Sequence, residues 1–270
     1  MNKADAVPAR GTPRLDLLPG YACRRLGDPT QAPSTLLLHG FTGISADWDP
    51  WPPAGPPALA PDLPGHGASP APQDDFSAEI RRLLAALPAS VVRLVGYSLG
   101  GRIALSLLAA APTRFSAATI VSAHPGLINA GQREARRAAD QHWIDLLSAQ
   151  GIEAFVDAWQ RQPLFASQAS LPVAVLAEQR RRRLAQRAEG LAASLACFGL
   201  AEMPDTWDAL RSWPGRLVWL AGARDDKFLA IAERMGRERP GTDVRRISAA
   251  GHNLLLEAPD AVLAAAVGRE

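Results

Sequence analysis

The stretch LVGYSLGGR, residues 94–102, decides the fold. Four of its nine residues are Gly or Ser, and an arginine directly follows a glycine pair. Gly96-Tyr97-Ser98-Leu99-Gly100 fits G-x-S-x-G, in which a strand turns sharply into a helix. The residues two positions either side of the apex must lack bulk, and the serine hydroxyl is then held above the sheet. The N–H of Leu99 points toward the same space from the helix N-terminus, where donors are unpaired and the dipole favours negative charge. A glycine-rich turn with a purely structural role would carry the same letters. VVRLVG before it and LGGRIALSLLAAAP after it supply the strand and the helix that the catalytic reading requires.

Outward from this turn the chain alternates. STLLLHG (34–40), Ala58 to Ala60, AATIVSA (117–123), GRLVWLAG (215–222) and TDVRRIS (242–248) read as short buried strands. DDFSAEIRRLLAALPA and APDAVLAAAVGRE read as helices. Strands alternating with helices imply an α/β domain with a mostly parallel sheet and right-handed crossovers. The rhythm breaks at 129–213, where helix follows helix: QREARRAADQHWIDLLSA, IEAFVDAWQ, VAVLAEQRRRRLAQRAEGLAASLACFG and WDALRSW. The expected organisation is a core of 18–128 and 214–270, a helical cap at 129–213 over the carboxyl ends of the strands, and a flexible tail at 1–17.

The bulk composition narrows the function. A length of 270 residues with 47% hydrophobic residues suits a sizeable core, and a net charge of +2 does not favour nucleic acid or an acidic membrane as partner. Cys23 and Cys197 lie far apart, outside any metal-binding spacing, and read as free thiols of a reducing compartment. The first twenty residues lack a secretory pattern, and no apolar run approaches the roughly 18 residues of a membrane helix. The expected location is the cytoplasm.

Ser98 needs a base, and there are five histidines. His39 and His66 lie in loops that precede the turn, and His142 lies in the helical insertion. His124 follows a strand in SAHPGL and rivals His252, which follows the last strand in AAGHNLLLE. The order serine, acid, histidine favours His252. For the acid, WLAGARDDKF offers Asp225 and Asp226, which spacing does not separate. In LLLHGFTG, a backbone N–H near Phe41 could pair with that of Leu99 to hold an oxyanion; a plain glycine turn would look the same.

Together LLLHGFTG, DLPGHGAS, GYSLGGR, SAHPGL, WQRQPLFAS, GARDDKF and AGHNLLLEAP make the chain resemble the α/β-hydrolase superfamily. Within it, the match narrows to the 2-succinyl-6-hydroxy-2,4-cyclohexadiene-1-carboxylate synthases of menaquinone biosynthesis. The resemblance runs from about Ser34 to Pro259. It implies a pyruvate-eliminating carbon–oxygen lyase with no cofactor and no metal, acting on a small polycarboxylate. The family's catalytic serine, aspartate and histidine fall on Ser98, Asp225 and His252; the family pattern Asp-x-Lys-Phe selects Asp225. Phe41 and Leu99 would form the oxyanion hole, and Thr42 stands where the family often carries an apolar residue. The resemblance gives the arginines a use, because a substrate with several carboxylates needs cations. Arg102, one helical turn after Ser98, can share its face. Arg136 and Arg183 match arginines the family supplies from the covering helices. Tyr97 and Trp159 could pack on the substrate ring. The plainer readings are a solvated face for the run at 180–183, a buried ion pair for Arg102, and core packing for the aromatics. Two other functions fit the motifs: a serine hydrolase of esters, thioesters or carbon–carbon bonds, and a non-catalytic binding protein on the same fold.

Overall fold

The computed structural model describes residues 14–268. Strands β1 (Arg14–Leu18), β2 (Tyr21–Leu26), β3 (Thr35–Leu38), β4 (Ala58–Pro61), β5 (Arg93–Tyr97), β6 (Ala117–Val121), β7 (Arg216–Gly222) and β8 (Asp243–Ile247) form one sheet. Their order is β1-β2-β4-β3-β5-β6-β7-β8. The pairs β1/β2 and β2/β4 are antiparallel, and every pair from β4 to β8 is parallel. The expected α/β architecture is thus present, with an antiparallel edge that the motifs did not signal. The tail expected at 1–17 overlaps β1, which Pro19-Gly20 turns back onto β2 so that Leu18 faces Tyr21. Residues 1–13 lie outside the described residues.

The central strands are apolar without interruption because both of their faces are covered. Successive residues alternate between two cores. Leu36, Leu38, Leu94, Leu217 and Trp219 point to one side, where they meet helices α1 (Phe76–Ala86), α2 (Leu99–Ala110) and α7 (Asp226–Glu238) through Ile80, Ile103 and Met235. Leu37, Val95, Val218 and Leu220 point to the other, against Trp48, Leu254 in α8 (Leu254–Glu257) and Val262 in α9 (Pro259–Val267). Each fully buried side chain of this size contributes about 1.5–3 kcal/mol.

Between β6 and β7 lie α3 (Ala130–Trp159), α4 (Val173–Leu184), α5 (Ala188–Phe198) and α6 (Trp207–Ser212), with a 3₁₀ turn at Pro163–Ser170. Gly151 breaks α3 at φ 77°, ψ −172°, a conformation that favours glycine. Leu147, Phe155, Val156 and Leu191 give the insertion a small core of its own. Its last helix behaves differently from the grouping expected for 129–213: Trp207 and Leu210 of α6, and Trp213 after it, join the main core beside α2. Among the described residues, α6 thus packs on the main core.

The chain passes from β3 outward to β4 and then back across to β5, so the strand order reverses between β3 and β5. In open α/β sheets, ligands bind outside the carboxyl ends of the strands at such a point. Gly40-Phe41 follows β3 and Ser98 follows β5, which puts both at the reversal.

Candidate active site

Ser98 sits at φ 51° and ψ −106°, outside the regions open to ordinary L-residues, between the end of β5 and the start of α2. Its N–H donates to the Val121 carbonyl at 2.9 Å, fixing the bend to the neighbouring strand. Strain of this kind costs about 1–3 kcal/mol and persists only where surrounding structure enforces it. The glycines allow the crossing: a Cβ on Gly96 would collide with the Gly100 carbonyl, and one on Gly100 with the Leu38 carbonyl. A Cβ on Gly101 would stand 2.5 Å from that of Ala123. Gly101→Ala is expected to destabilise the protein by about 1–3 kcal/mol through overpacking, read as a lower midpoint in urea with an unchanged slope.

His252 Nε2 lies 3.1 Å from Ser98 Oγ, and its Nδ1 lies 2.7 Å from Asp225 Oδ2. Asp225 is the N-cap of α7: Oδ1 accepts the Phe228 N–H at 3.3 Å while Oδ2 faces the imidazole. Asp226 is exposed. The structure thereby separates two carboxylates that spacing left equal. Phe228, Tyr97 and Phe165 surround the imidazole, with centroids 4.5, 5.6 and 6.3 Å away. Glu257, which sequence reasoning missed, clamps the loop from below by accepting the N–H groups of Gly251 at 2.7 Å and Asn253 at 3.2 Å. Its position five residues after His252 in GHNLLLE was the available signal.

The other histidines have different employment. His142 is exposed on α3. His124 Nδ1 accepts the Gly126 N–H at 3.0 Å; burial and the cations Lys227, Arg102 and Arg136 push its pKa down to about 4. His39 and His66 are wholly buried behind the turn after β3, where His39 Nε2 accepts Leu63 N–H at 2.9 Å and His66 Nε2 accepts Thr42 N–H at 3.3 Å. Burial lowers both pKa values, that of His66 well below the usual imidazole range. Below the ordinary value of 6.5 the unfolded chain binds protons that the folded chain does not, so stability falls as pH falls through that range. Thermal melting is expected to occur at distinctly lower temperature at pH 5.5 than at pH 7.5, with the difference reduced in His66→Gln.

Leu99 is the first residue of α2, and Gly100 N–H donates to the His39 carbonyl at 3.0 Å, tying the start of that helix to the turn after β3. The turn closes through Gly43 N–H to the Gly40 carbonyl at 2.9 Å. Thr42 adopts φ 69° within it. Neither the Phe41 nor the Leu99 N–H has a hydrogen-bond partner among the described residues. The pair expected to hold an oxyanion is therefore available from two loops bonded to each other.

A cavity of 440 Å³ opens here, lined among others by Phe41, Tyr97, Phe165, Arg183, Asn253 and Leu255. Of the arginine run, Arg180 pairs with Asp157 at 2.5 Å, Arg181 with Glu178 at 2.7 Å, and Arg182 with Glu178 at 2.8 Å and Asp47 at 3.2 Å. Arg183 differs: it is 5% exposed, lies 5.2 Å from the Phe165 centroid and forms no ion pair among the described residues. The solvated reading holds for Arg181, which is exposed, and fails for Arg183; Arg182 is partly buried against Asp47 of the core. Arg102 is also buried, and Nη1 donates to the Phe198 carbonyl. No carboxylate within the described residues pairs with it; burial, then the nearby Arg136, lowers its pKa to about 9. The buried ion pair considered for Arg102 is absent. Arg136 stands in the same cation cluster, but its Nε is held by both oxygens of Asp140 at 2.9 Å. Trp159 is half-buried among Phe41, Trp143 and Phe155, with centroids 5.0–5.3 Å away, and its indole N–H is buried without a partner. Tyr97 is 7% exposed and lines the cavity. Lys227, the lysine of the Asp-x-Lys-Phe pattern, joins Arg102 and Arg136 in lowering the pKa of His124. Among the described residues, no group of His, Cys, Asp or Glu is arranged to hold a metal ion, and no helix is long and apolar enough to cross a membrane.

Comparison with known proteins agrees with this geometry. The profile of the alpha/beta hydrolase family matches residues 35–266. The 2-succinyl-6-hydroxy-2,4-cyclohexadiene-1-carboxylate synthase of Salmonella typhimurium (strain LT2) is 35% identical over 241 residues, covering 86% of this chain and 91% of that protein. The structure of MenH from S. aureus is similar with a TM-score of 0.84 at 30% identity, over 91% of this chain and 96% of that one. A thermophilic esterase from Thermogutta terrifontis shares the fold, with a TM-score of 0.76 at 23% identity over 90% of each chain. With its elbow, its Ser–His–Asp chain and its sheet all in place, the protein belongs to the α/β hydrolase family.

Proposed function

We propose that this protein is a 2-succinyl-6-hydroxy-2,4-cyclohexadiene-1-carboxylate synthase. It would eliminate pyruvate from 2-succinyl-5-enolpyruvyl-6-hydroxy-3-cyclohexene-1-carboxylate. The observation that carries this reading is a hydrogen-bonded Ser98–His252–Asp225 chain next to a cavity lined by Arg183, a buried guanidinium in no ion pair among the described residues, with Arg102, likewise buried and in no such pair, one helical turn after Ser98. A buried unpaired cation is costly, and an anionic substrate offsets that cost. A neutral ester would not.

The chemistry follows from the two compounds. The product gains a double bond at ring carbon 2 and loses the enolpyruvyl oxygen from carbon 5. The proton on carbon 2, beside the succinyl ketone, must therefore leave. His252, oriented by Asp225, takes the Ser98 proton, and the serine oxygen takes the one on carbon 2. The electron pair moves onto the ketone oxygen, which the N–H groups of Phe41 and Leu99 stabilise. It then returns through the ring as the 2,4-diene forms and the bond from carbon 5 to oxygen breaks. Enolpyruvate departs and is protonated at carbon by the proton held on His252, giving pyruvate. No electrons leave or enter overall, so the reaction asks for no redox cofactor. Base catalysis contributes about 10²–10⁴-fold, and each oxyanion donor about 10²–10³-fold. Tyr97 and Trp159 bound the ring, while Arg102, Arg136 and Arg183 position the carboxylates. We place this activity in the cytoplasm, with a small-molecule partner.

The test is release of pyruvate from the enolpyruvyl precursor by purified protein, followed through lactate dehydrogenase, beside turnover of p-nitrophenyl acetate. Rapid pyruvate release with slow ester cleavage is expected. Fast ester cleavage without pyruvate would make the protein a serine hydrolase, with Ser98 as nucleophile. Neither activity would point to a binding protein.

A further inference from the structure

Gln186 is 5% exposed and follows the C-terminal end of α4, in the cap. Its side chain reaches out of the cap and meets two loops of the core. Nε2 donates to the Gly43 carbonyl at 3.1 Å and to the Thr42 carbonyl at 3.4 Å. Oε1 accepts the Gly67 N–H at 2.8 Å. Both ends of the amide are therefore used, across 144 residues of sequence to Thr42 and 119 to Gly67. The two loops it joins hold the turn whose first N–H, that of Phe41, is the oxyanion donor. Thr42, next in that turn, carries the strained φ of 69° and receives its other support from His66, which belongs to the same loop as Gly67. Neighbouring cap residues dock on the same region: Arg187 donates to the Ser69 carbonyl at 2.6 Å and Arg182 to the Ala46 carbonyl at 3.1 Å.

We infer that Gln186 is a positioning residue for the oxyanion hole. Through its amide, the seated cap holds the Phe41–Thr42–Gly43 turn in its strained shape, so the Phe41 N–H is aimed at the substrate only when the cap is docked. The amide is suited to this because it offers two donors to two converging carbonyls and an acceptor to a facing N–H. A carboxylate of the same shape would keep the acceptor and turn both donor contacts into repulsion between oxygens. This inference rests on the oxyanion-hole role given to Phe41 above, and not on which substrate occupies the site.

The experiment compares wild type with Gln186→Glu, Gln186→Met and Gln186→Asn in the full chain. Two readouts are taken: kcat and KM for pyruvate release, and hydrogen–deuterium exchange of peptides spanning residues 39–47. The Glu and Met variants are expected to lose about 10–100-fold in kcat, the scale of one misaimed oxyanion donor, with KM changed less than threefold. Exchange at 39–47 is expected to accelerate, while that at 93–103 stays as in wild type. Gln186→Asn, which keeps both donors and the acceptor on a shorter stem, is expected to recover part of the kcat. Unchanged exchange in the Glu and Met variants overturns the proposal, as does faster exchange with wild-type kcat. Equal losses in kcat and in cap stability, with no recovery by Asn, would assign Gln186 to packing alone and overturn it too. If wild type releases no pyruvate, the substrate assignment fails. The exchange arm and kcat on an activated ester then decide the role of Gln186 independently.

Discussion

Ser98→Ala is expected to lower kcat for pyruvate release by about 10³–10⁴-fold while KM stays within a few-fold of wild type. In the proposed mechanism the serine oxygen removes the substrate proton, and it occupies one end of a chain of 3.1 and 2.7 Å contacts. His124 cannot replace the relay, because its Nδ1 is engaged by Gly126 and its surroundings are cationic. In the same proposal, binding depends on groups that the substitution leaves alone, the arginines and the walls of the cavity. Alanine keeps the Cβ and the backbone demand of the elbow, so circular dichroism and the melting temperature should be those of wild type. Retention of more than a tenth of the wild-type kcat would remove Ser98 from the chemistry.

The second large effect is expected at Arg102. Arg102→Met should reduce kcat/KM by about 10²–10³-fold, equivalent to about 2.7–4 kcal/mol, without reducing the melting temperature. The two outcomes diverge because of how the guanidinium is placed. It is 9% exposed, hydrogen-bonded to the Phe198 carbonyl and in no ion pair among the described residues, and burial outweighs the nearby Asp140, so the folded protein bears its desolvation. Replacing a buried charge by an apolar side chain of similar length is often neutral or stabilising. Arg136→Met should behave in the opposite way. Its loss strands Asp140, which is 6% exposed and paired to it, so stability should drop more than activity. A loss of stability in Arg102→Met equal to its loss of activity would mean that the arginine holds the fold and does not receive the substrate.

These contrasts show which features the sequence carried openly. The elbow was legible because its demands are local: Gly96 and Gly100 are required by backbone atoms four residues away or in the adjacent strand turn. His252 was legible from chain order. Asp225 needed the family pattern, because the difference from Asp226 is which carboxylate caps α7, a matter of one helical position. Strand β2 was hidden by Arg24 and Arg25 in its middle, which break the apolar run; Arg24 is buried by pairing with Asp49 at 2.5 Å. The arginine run shows the limit most clearly. Four identical residues give no sequence signal for which one turns inward, and only the packing of α4 leaves Arg183 inside while Glu178, Asp157 and Asp47 hold the others in ion pairs. Helix α6 was placed with the cap because it continues a helical stretch, yet Trp207 and Leu210 belong to the main core. Gln186 was invisible for a related reason. Its partners are carbonyls and an N–H of loops remote in sequence, and the backbone has no letter.

The proposed elimination requires Ser98 to act as a base on carbon 2 of a polycarboxylate held by buried arginines. Mixing enzyme in excess with the enolpyruvyl precursor, quenching within a single turnover and reading both pyruvate and the intact protein mass tests this most directly. One pyruvate per substrate molecule is expected, with Ser98 at its unmodified mass throughout. A covalent adduct on Ser98 that forms and decays with the reaction, or precursor left intact while Ser98 stays free, would contradict it.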